Sequence, residues 1–234
     1  MCDDVKLKSN VPRIRKLLCK TFANIYYGVY SLNMTIANPL TVAFFGISGS
    51  GKGTQCTLLE EYLKKNDSHR SVIRPEMGNL LRDFMKKETS LAKHTNEIVS
   101  AGKLVPSFIT VYLLTQMLNE SFNGDEHIIL DGTCRRPDQS RAADEMMRLW
   151  GRNDNQAIVL TLTEKSARAR LIARGRFDDA TDEALKSRFA WYTEHVAPSI
   201  ETLRGLGWTI HEIDGEPDVE TVHKNIVVAL GLKQ

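Results

Sequence analysis

Short runs of apolar residues alternate with longer amphipathic segments along the chain from residue 40 onward. Five runs are typical of strands, the second being the weakest: Thr41–Phe45, Ser71–Arg74, Ile128–Asp131, Ala157–Leu162 and Trp208–Ile213. Helical spacing of apolar residues predicts helices at Lys52–Lys64, Ser107–Glu120, Asp138–Trp150, Glu164–Arg174, Asp182–Leu206 and Asp218–Leu230. This alternation predicts an α/β fold, in which a central parallel sheet is flanked by helices.

The segment Ser107–Glu120 differs from the other predicted helices because its apolar residues lie on nearly every side. Helices that are apolar all round are buried in the interior of a protein. We therefore expect this helix to be buried.

The 234-residue chain is 42% hydrophobic and 26% charged, with a formal net charge of +2, which fits one globular domain with insertions. So small a charge gives no reason to expect a nucleic-acid or membrane surface, and the six histidines are scattered. The four cysteines form no CxxC pair, which favours free thiols in a reducing compartment. We expect a cytoplasmic monomer that binds no nucleic acid and has no stable membrane association.

Residues 1–33 differ in charge from the remainder, because they carry a net charge of +4 and leave −2 for the other residues. Segment 11–32 mixes basic with apolar side chains. It is either an amphipathic helix with a weak membrane or partner contact, or a loosely packed extension before Met34. We expect residues 1–38 to form an N-terminal extension, disordered or amphipathic, and residues 39–234 to form the folded domain.

The segment Gly46-Ile47-Ser48-Gly49-Ser50-Gly51-Lys52 lies between a predicted strand and a predicted helix. In that context, glycines let successive backbone N–H groups converge on one anion. The N-terminus of the following helix adds partial positive charge, and Lys52 supplies a mobile charge for the outer phosphates. The segment predicts a nucleotide phosphate site; a flexible glycine turn with an exposed lysine is the alternative.

Gly53 follows this lysine where a generic phosphate loop has serine or threonine. The string Gly51-Lys52-Gly53-Thr54-Gln55 resembles the adenylate kinase and nucleoside monophosphate kinase family. The resemblance extends over about residues 40–232, and further segments are similar to motifs of that family: Gly78-Asn79-Leu80-Leu81-Arg82, Gly102-Lys103-Leu104-Val105-Pro106, Leu130-Asp131-Gly132-Thr133-Cys134-Arg135, Arg176-Phe177-Asp178-Asp179 and Arg188. Each motif is weak alone, but together in this order around a phosphate loop they are specific.

This resemblance implies a P-loop NTPase fold with a helical monophosphate-binding insertion at about 74–106 and a short lid at about 174–181. It implies reversible phosphoryl transfer from ATP to AMP, giving two ADP, with Mg²⁺ accompanying ATP and no zinc. The residues implied for ATP are Gly46, Ser48, Gly49, Ser50, Gly51, Lys52, Gly53, Thr54, Arg170 and Arg174. Those implied for AMP are Met77, Gly78, Arg82, Lys103, Leu104, Val105, Gly132, Arg135, Gln139, Arg176 and Arg188. Those implied for catalysis are Lys52, Arg135, Arg170, Arg174, Arg176 and Arg188.

Arginines suit this reaction because several negative phosphates meet in one site and must be neutralised and aligned. Arg170 and Arg174 lie four residues apart on one predicted helix, where they repel each other unless an anion lies between them. Their spacing predicts an anion site, with two solvated surface arginines as the alternative. Arg168, four residues after Glu164, fits an exposed pair within the helix.

Asp131 ends an apolar strand, and the carboxyl ends of strands in an open α/β sheet face the ligand crevice. A carboxylate there can bind the water shell of Mg²⁺, because magnesium prefers octahedral oxygen coordination and retains water. The alternative is that Asp131 only caps a turn. No general base is assigned, since the acceptor phosphate is already ionised.

Two positions give opposite indications about the acceptor. Gln139 matches the position at which AMP-directed relatives present glutamine to adenine; a solvated helix residue is the alternative. Met77 stands where the family has threonine and cannot donate a hydroxyl, although a flexible thioether can line a base pocket. AMP is the expected acceptor, and a kinase for CMP or UMP and a non-catalytic nucleotide-binding domain remain as alternatives.

Overall fold

The computed structural model describes residues 36–101, 103–174 and 182–233, without the side chains of residues 174 and 182–184. Its sheet has five parallel strands in the order β2-β3-β1-β4-β5. The strands lie at Thr41–Gly46 (β1), Val72–Ile73 (β2), His127–Asp131 (β3), Asn155–Thr161 (β4) and Thr209–Asp214 (β5). The predicted parallel α/β sheet is confirmed, including its weakest strand.

Helices connect these strands and pack against the sheet and against one another. They lie at Lys52–Asn66 (α1), Met77–Met85 (α2), Ser90–Ser100 (α3), Ser107–Ser121 (α4), Pro137–Leu149 (α5), Glu164–Arg174 (α6), Asp182–Trp191 (α7), Ala197–Gly205 (α8) and Val219–Ala229 (α9). Five of the six predicted helices agree with these bounds within two residues. Among the described helices, none combines the length and the apolar character that crossing a bilayer requires.

The predicted helix from residue 182 to residue 206 is interrupted. Helix α7 ends at Trp191, a π-helical turn covers Tyr192–Val196, and α8 begins at Ala197. Pro198 lies in the first turn of α8. Because proline has no N–H to donate to a residue of the preceding turn, an unbroken α-helical ladder is not possible at this point.

The expectation that helix α4 is buried on all sides is wrong. Its inner face, including Ile109 and Leu113, is buried, whereas Phe108 is 61% exposed and Tyr112 is 49% exposed. The helix packs through that inner face against α2 and α5. Composition alone did not reveal which of the apolar residues meet neighbouring helices.

The ends of three strands bring the candidate site residues together. Phe44 of β1 pairs with Asp131 of β3, so Asp131 lies beside the strand that leads into the phosphate loop. The chain leaves the sheet just after β2, and there Pro75 accepts a hydrogen bond of 3.2 Å from the backbone N–H of Asp131. A single β-bridge joins Glu76 to Asp131. The phosphate loop, segment 74–76 and Asp131 therefore meet at one edge of the sheet, as the general rule for ligand sites in such sheets requires.

Candidate active site

The phosphate loop depends on glycine at two positions for its conformation. Gly51, the residue that precedes α1, has φ +90° and Gly49 has φ +86°, values that other residues adopt rarely. A Cβ atom at Gly49 would lie 2.7 Å from the carbonyl oxygen of Ala167 in α6. The loop therefore packs directly against α6, the helix that carries Arg170.

The ammonium group of Lys52 is held by the loop itself. Its Nζ donates to the carbonyl oxygens of Gly46 at 2.6 Å and of Ile47 at 2.9 Å, and lies 3.4 Å from Ser50 Oγ. Ser50 is buried, and its backbone N–H donates to Ile47 across the loop. The charge of Lys52 is thus fixed within the phosphate loop by carbonyl oxygens of the loop.

A cavity of about 540 Å³ opens at this loop. The predicted ATP residues on its wall are Ser48, Gly49, Gly51, Lys52, Gly53, Thr54 and Arg170, and it also receives Asp131, Arg135 and Arg188. Gly46 and Ser50 are residues of the loop that do not line this cavity, and both contact Nζ of Lys52. The side chain of Arg174 and residues 175–181, which include Arg176 and all but the first residue of the lid expected at about 174–181, lie outside the described residues.

Arg170 reaches the cavity from α6. Its Nη2 donates to the carbonyl oxygens of Gly215 at 2.9 Å and Glu216 at 3.2 Å, in the loop after β5. These two contacts fix the guanidinium at the cavity wall without neutralising its charge, because carbonyl oxygens carry no formal charge. Arg170 therefore brings a guanidinium to the wall of the phosphate-loop cavity. Hydrogen bonds from Thr163 and Ser166 lower the pKa of Glu216, and the charge of Arg170 lowers it further.

A second cavity, of about 660 Å³, is lined by residues of the helical insertion and also by Arg135 and Arg188. The predicted AMP residues that line it are Met77, Lys103, Leu104, Val105, Gly132, Arg135, Gln139 and Arg188. Apolar groups such as Leu81 and Val99 complete its wall. Eight of the eleven residues predicted for AMP therefore surround one space.

Arg82 is a predicted AMP residue that does not line this cavity. Its exposed guanidinium donates to Asn79 Oδ1 and lies 3.7 Å from Glu76 Oε1. Asn79 in turn donates to Glu76 Oε2 at 2.6 Å. Gly78 lies against the same arginine. In this conformation, Glu76 and Asn79 hold the arginine at the surface.

Gln139 is buried, with 5% exposure, so it is not the solvated helix residue that the sequence left as an alternative. Its Oε1 accepts a 2.8 Å hydrogen bond from the backbone N–H of Arg135. Its Nε2 lies 3.4 Å from Ser107 Oγ, a long contact. Met77, with 3% exposure, lies on the wall of the same cavity. The two residues that bear on acceptor choice therefore lie at one site.

Arg135 and Arg188 are the residues that join the two cavities, because both line each of them. Desolvation by the surrounding protein lowers the pKa of Arg135, and the charge of Arg188 lowers it further, while Asp131 opposes the shift. Arg135 Nε donates to Gly132 at 3.0 Å, and its guanidinium lies 5.8 Å from the ring centroid of Trp191. Two positive charges that line the same space favour an anion between them.

Asp131 is the residue expected to meet magnesium. It is buried at the end of β3, lines the phosphate-loop cavity and pairs with Arg74 at 2.7 Å. Within the described residues, no group of three or more His, Cys, Asp or Glu could hold a metal ion. A single carboxylate fits an ion that is bound mainly by phosphate and water, which is how magnesium is usually held with a nucleotide.

Several residues of this site were not assigned from the sequence, and two of them contact its charged side chains. Arg74 lines the phosphate-loop cavity, and Trp191 lies under the guanidinium of Arg135. Arg74 directly follows the weakest strand, so its place at the carboxyl end of a strand was a signal that could have identified it. No local pattern marks Trp191, since its partner is distant in the sequence.

Comparison with known proteins agrees with this geometry. A family model described as adenylate kinase matches residues 44–207. The adenylate kinase of Azobacteroides pseudotrichonymphae genomovar. CFP2 is 32% identical over 193 residues, which cover 80% of this chain and 95% of that protein. The adenylate kinase of Nocardia farcinica (strain IFM 10152) is 30% identical over 194 residues, which cover 82% of this chain and 99% of that protein. The chain belongs to the adenylate kinase family, whose members are nucleotide-binding kinases.

Proposed function

We propose that this protein transfers the γ-phosphoryl group of MgATP to AMP, reversibly, and so forms two molecules of ADP. The observation that carries the proposal is that Arg135 and Arg188 line both the phosphate-loop cavity and the second cavity. A phosphoryl group that passes between nucleotides in these two spaces meets both guanidinium groups. Electrostatic stabilisation of this kind is the largest contribution that proteins make to phosphoryl transfer.

The donor binds in the phosphate-loop cavity. Backbone N–H groups of the loop and the N-terminus of α1 bind its phosphates, and Lys52 exchanges carbonyl partners for phosphate oxygens. Arg170 contributes a further charge from α6. Mg²⁺ bound with ATP would neutralise phosphate charge and orient the phosphates, and Asp131 is the residue that would hold its water shell.

The acceptor binds in the second cavity, which is lined by the insertion at about 74–106 and by residues such as Arg135 and Arg188. Its base lies near Met77 and Gln139, and its phosphate lies near Arg135 and Arg188. Arg82 joins the phosphate after its contacts with Glu76 and Asn79 are exchanged. No side chain is needed as a base, because the acceptor oxygen is ionised and the chemistry requires alignment and neutralisation. We assign Arg174, Arg176 and a short lid at 174–181 to the exclusion of water.

A kinase for CMP or UMP is the second candidate. It is favoured by Met77, which offers no hydroxyl to a base, and by the occupied oxygen of Gln139. A carbonyl oxygen has two lone pairs, however, so Gln139 can still accept a second hydrogen bond and donate through Nε2. That capacity to accept and donate matches the edge of adenine. A non-catalytic binding domain is the weakest candidate, since Lys52 and the arginines of both cavities are in place.

The direct test is to incubate the protein with MgATP and AMP and to quantify nucleotides by chromatography. The proposal requires two ADP for each ATP consumed, and no ADP when AMP is omitted. Lys52→Met should lower kcat by about 10²-fold or more while leaving the melting temperature unchanged. Lys65→Met is the matched control, because Lys65 is an exposed lysine of the same helix. Full activity of Lys52→Met, or release of free phosphate in place of ADP stoichiometry, contradicts the proposal.

A further inference from the structure

Arg74 makes a set of contacts that joins three parts of the nucleotide site. Its side chain is 16% exposed. Nη2 donates to Asp131 Oδ2 at 2.7 Å and to the carbonyl oxygen of Gly53 at 3.2 Å. Nη1 donates to Thr57 Oγ1 at 2.8 Å and lies 3.5 Å from Glu60 Oε2. The guanidinium therefore connects the end of β3 with helix α1, immediately after the phosphate loop.

The backbone fixes the place of this arginine independently of its side chain. The next residue, Pro75, accepts a hydrogen bond from the backbone N–H of Asp131, and Glu76 forms a β-bridge with the same aspartate. Position 74 is thus held beside Asp131 by main-chain contacts. A substitution at Arg74 consequently changes the charge next to Asp131 while these contacts still hold the chain in place.

The ion pair changes what the carboxylate of Asp131 can attract. A guanidinium nitrogen at 2.7 Å offsets most of the negative charge that a second cation would meet, and the interaction is strong because Asp131 is buried. Glu60 attracts the same guanidinium from the other side and is more exposed. The position of Arg74 therefore reflects a competition between two carboxylates, only one of which lines the phosphate-loop cavity.

We propose that Arg74 is a positioning residue of the ATP site, which holds the Asp131 carboxylate against helix α1 and competes for it with magnesium-bound water. When MgATP binds, Asp131 exchanges part of the ion pair for the hydrated metal, and Glu60 retains the guanidinium. Arg74 thereby weakens the coupling between magnesium binding and ATP binding. The inference rests on the nucleotide site assigned in the proposed function.

The test is calorimetric titration of ATP into the full-length protein, without acceptor, once with excess Mg²⁺ and once with EDTA. The dissociation constant of ATP measured with EDTA, divided by that measured with Mg²⁺, gives the coupling between magnesium binding and ATP binding. This ratio is obtained without turnover. Arg74→Gln removes the charge and should raise the ratio about fivefold or more. Arg74→Lys keeps the charge and should stay close to the unmodified protein. An unchanged or smaller ratio in Arg74→Gln overturns the inference.

Two further variants separate this role from a structural one. Glu60→Gln leaves Arg74 with Asp131 as its remaining carboxylate and should lower the ratio. If the ratio in Glu60→Gln stays the same or rises, the inference is overturned, and this result does not depend on whether Arg74→Gln folds. Arg70→Gln is the matched control, since Arg70 pairs with Asp67 at 2.7 Å and lines neither cavity. It should lower the melting temperature and leave the ratio unchanged. A shift equal to that of Arg74→Gln overturns the inference.

Failure of this inference and failure of the proposed function give different results. If the unmodified protein binds no ATP under either condition, the nucleotide site itself is wrong. If ATP binds more tightly with Mg²⁺ but the ratio is the same in Arg74→Gln and Glu60→Gln as in the unmodified protein, only the role of Arg74 is wrong. In the Asp131→Asn background, Arg74→Gln should have no effect on the ratio, because the carboxylate for which it competes is absent.

Discussion

The side-chain oxygen of Gln139 accepts a hydrogen bond of 2.8 Å from the backbone N–H of Arg135. This contact links a residue that lines the second cavity to one of the two residues that line both cavities. Arg135 lies just before α5 and Gln139 lies in the first turn of that helix, so the hydrogen bond holds the start of α5 to the preceding segment. In the proposed function, the base and the phosphate of the acceptor would therefore meet two residues that are joined by one hydrogen bond.

Gln139→Ala should reduce the preference for AMP over CMP by about 2- to 10-fold in kcat/KM, because it removes neutral hydrogen bonds worth about 0.5–1.5 kcal/mol. The backbone N–H of Arg135 also loses its partner, so a lower melting temperature is expected. Gln116→Ala, on the outer side of α4, is the control and should change neither value. If the ratio of kcat/KM for AMP to kcat/KM for CMP is unaltered in Gln139→Ala, Gln139 does not contact the base.

Met77→Thr should raise the preference for AMP over CMP by a factor of about 2 to 10, because it restores a hydroxyl at the wall of the second cavity. Met77 is buried, so the smaller threonine should also lower the melting temperature by leaving unfilled space. The measurement is kcat/KM for both acceptors at saturating MgATP. A preference that falls or stays constant contradicts a place for residue 77 beside the base.

Arg170→Ala should lower kcat by about 10³-fold or more, as expected for an arginine that stabilises the charge of a transferring phosphoryl group. Arg168→Ala is the matched control, because Arg168 lies on the same helix and does not line either cavity. Steady-state rates and melting temperatures of the two variants make the comparison. Equally mild effects would mean that α6 contributes no anion site.

The thiols of Cys56 and Cys134 should be unreactive in the folded protein. Burial raises the pKa of Cys134 to about 11 and raises that of Cys56 well above its usual value, to which the charge of Asp131 contributes. At pH 8 both groups therefore remain protonated, and only the thiolate is nucleophilic. Mass spectrometry of the peptides after treatment with iodoacetamide should show labelling in urea and almost none without it. Equal labelling in both conditions contradicts this account.

The fold was largely predictable because its central strands are continuous apolar runs. Most of β1 and the centre of β3 are hydrophobic, and both strands are buried, as is typical of strands in a parallel sheet. The helices were predictable where apolar residues recur at helical spacing, as in α6. Helix α4 was misjudged because apolar residues such as Phe108 lie on its exposed side, and sequence does not show which side meets a neighbour.

The candidate site was predictable where chemistry is local in the chain. The phosphate loop is one segment between a strand and a helix, so its glycines and Lys52 could be assigned from spacing. The end of strand β2 could have identified Arg74, but its ion pair with Asp131 could not be predicted, since the two lie 57 positions apart and meet only through strand order. The pairing of Arg82 with Glu76 and Asn79 was equally out of reach, because it depends on side-chain conformations at an exposed surface.

The preference among acceptors decides whether this protein phosphorylates AMP or a pyrimidine nucleotide. With MgATP saturating, kcat/KM should be measured for AMP, CMP, UMP and GMP in the unmodified, full-length protein. The account predicts that AMP gives the highest value and that ADP is the product from both nucleotides, since Gln139 can both accept from and donate to adenine. If CMP or UMP exceeds AMP, the protein is a pyrimidine-directed kinase of the same family and the role assigned to Gln139 is wrong.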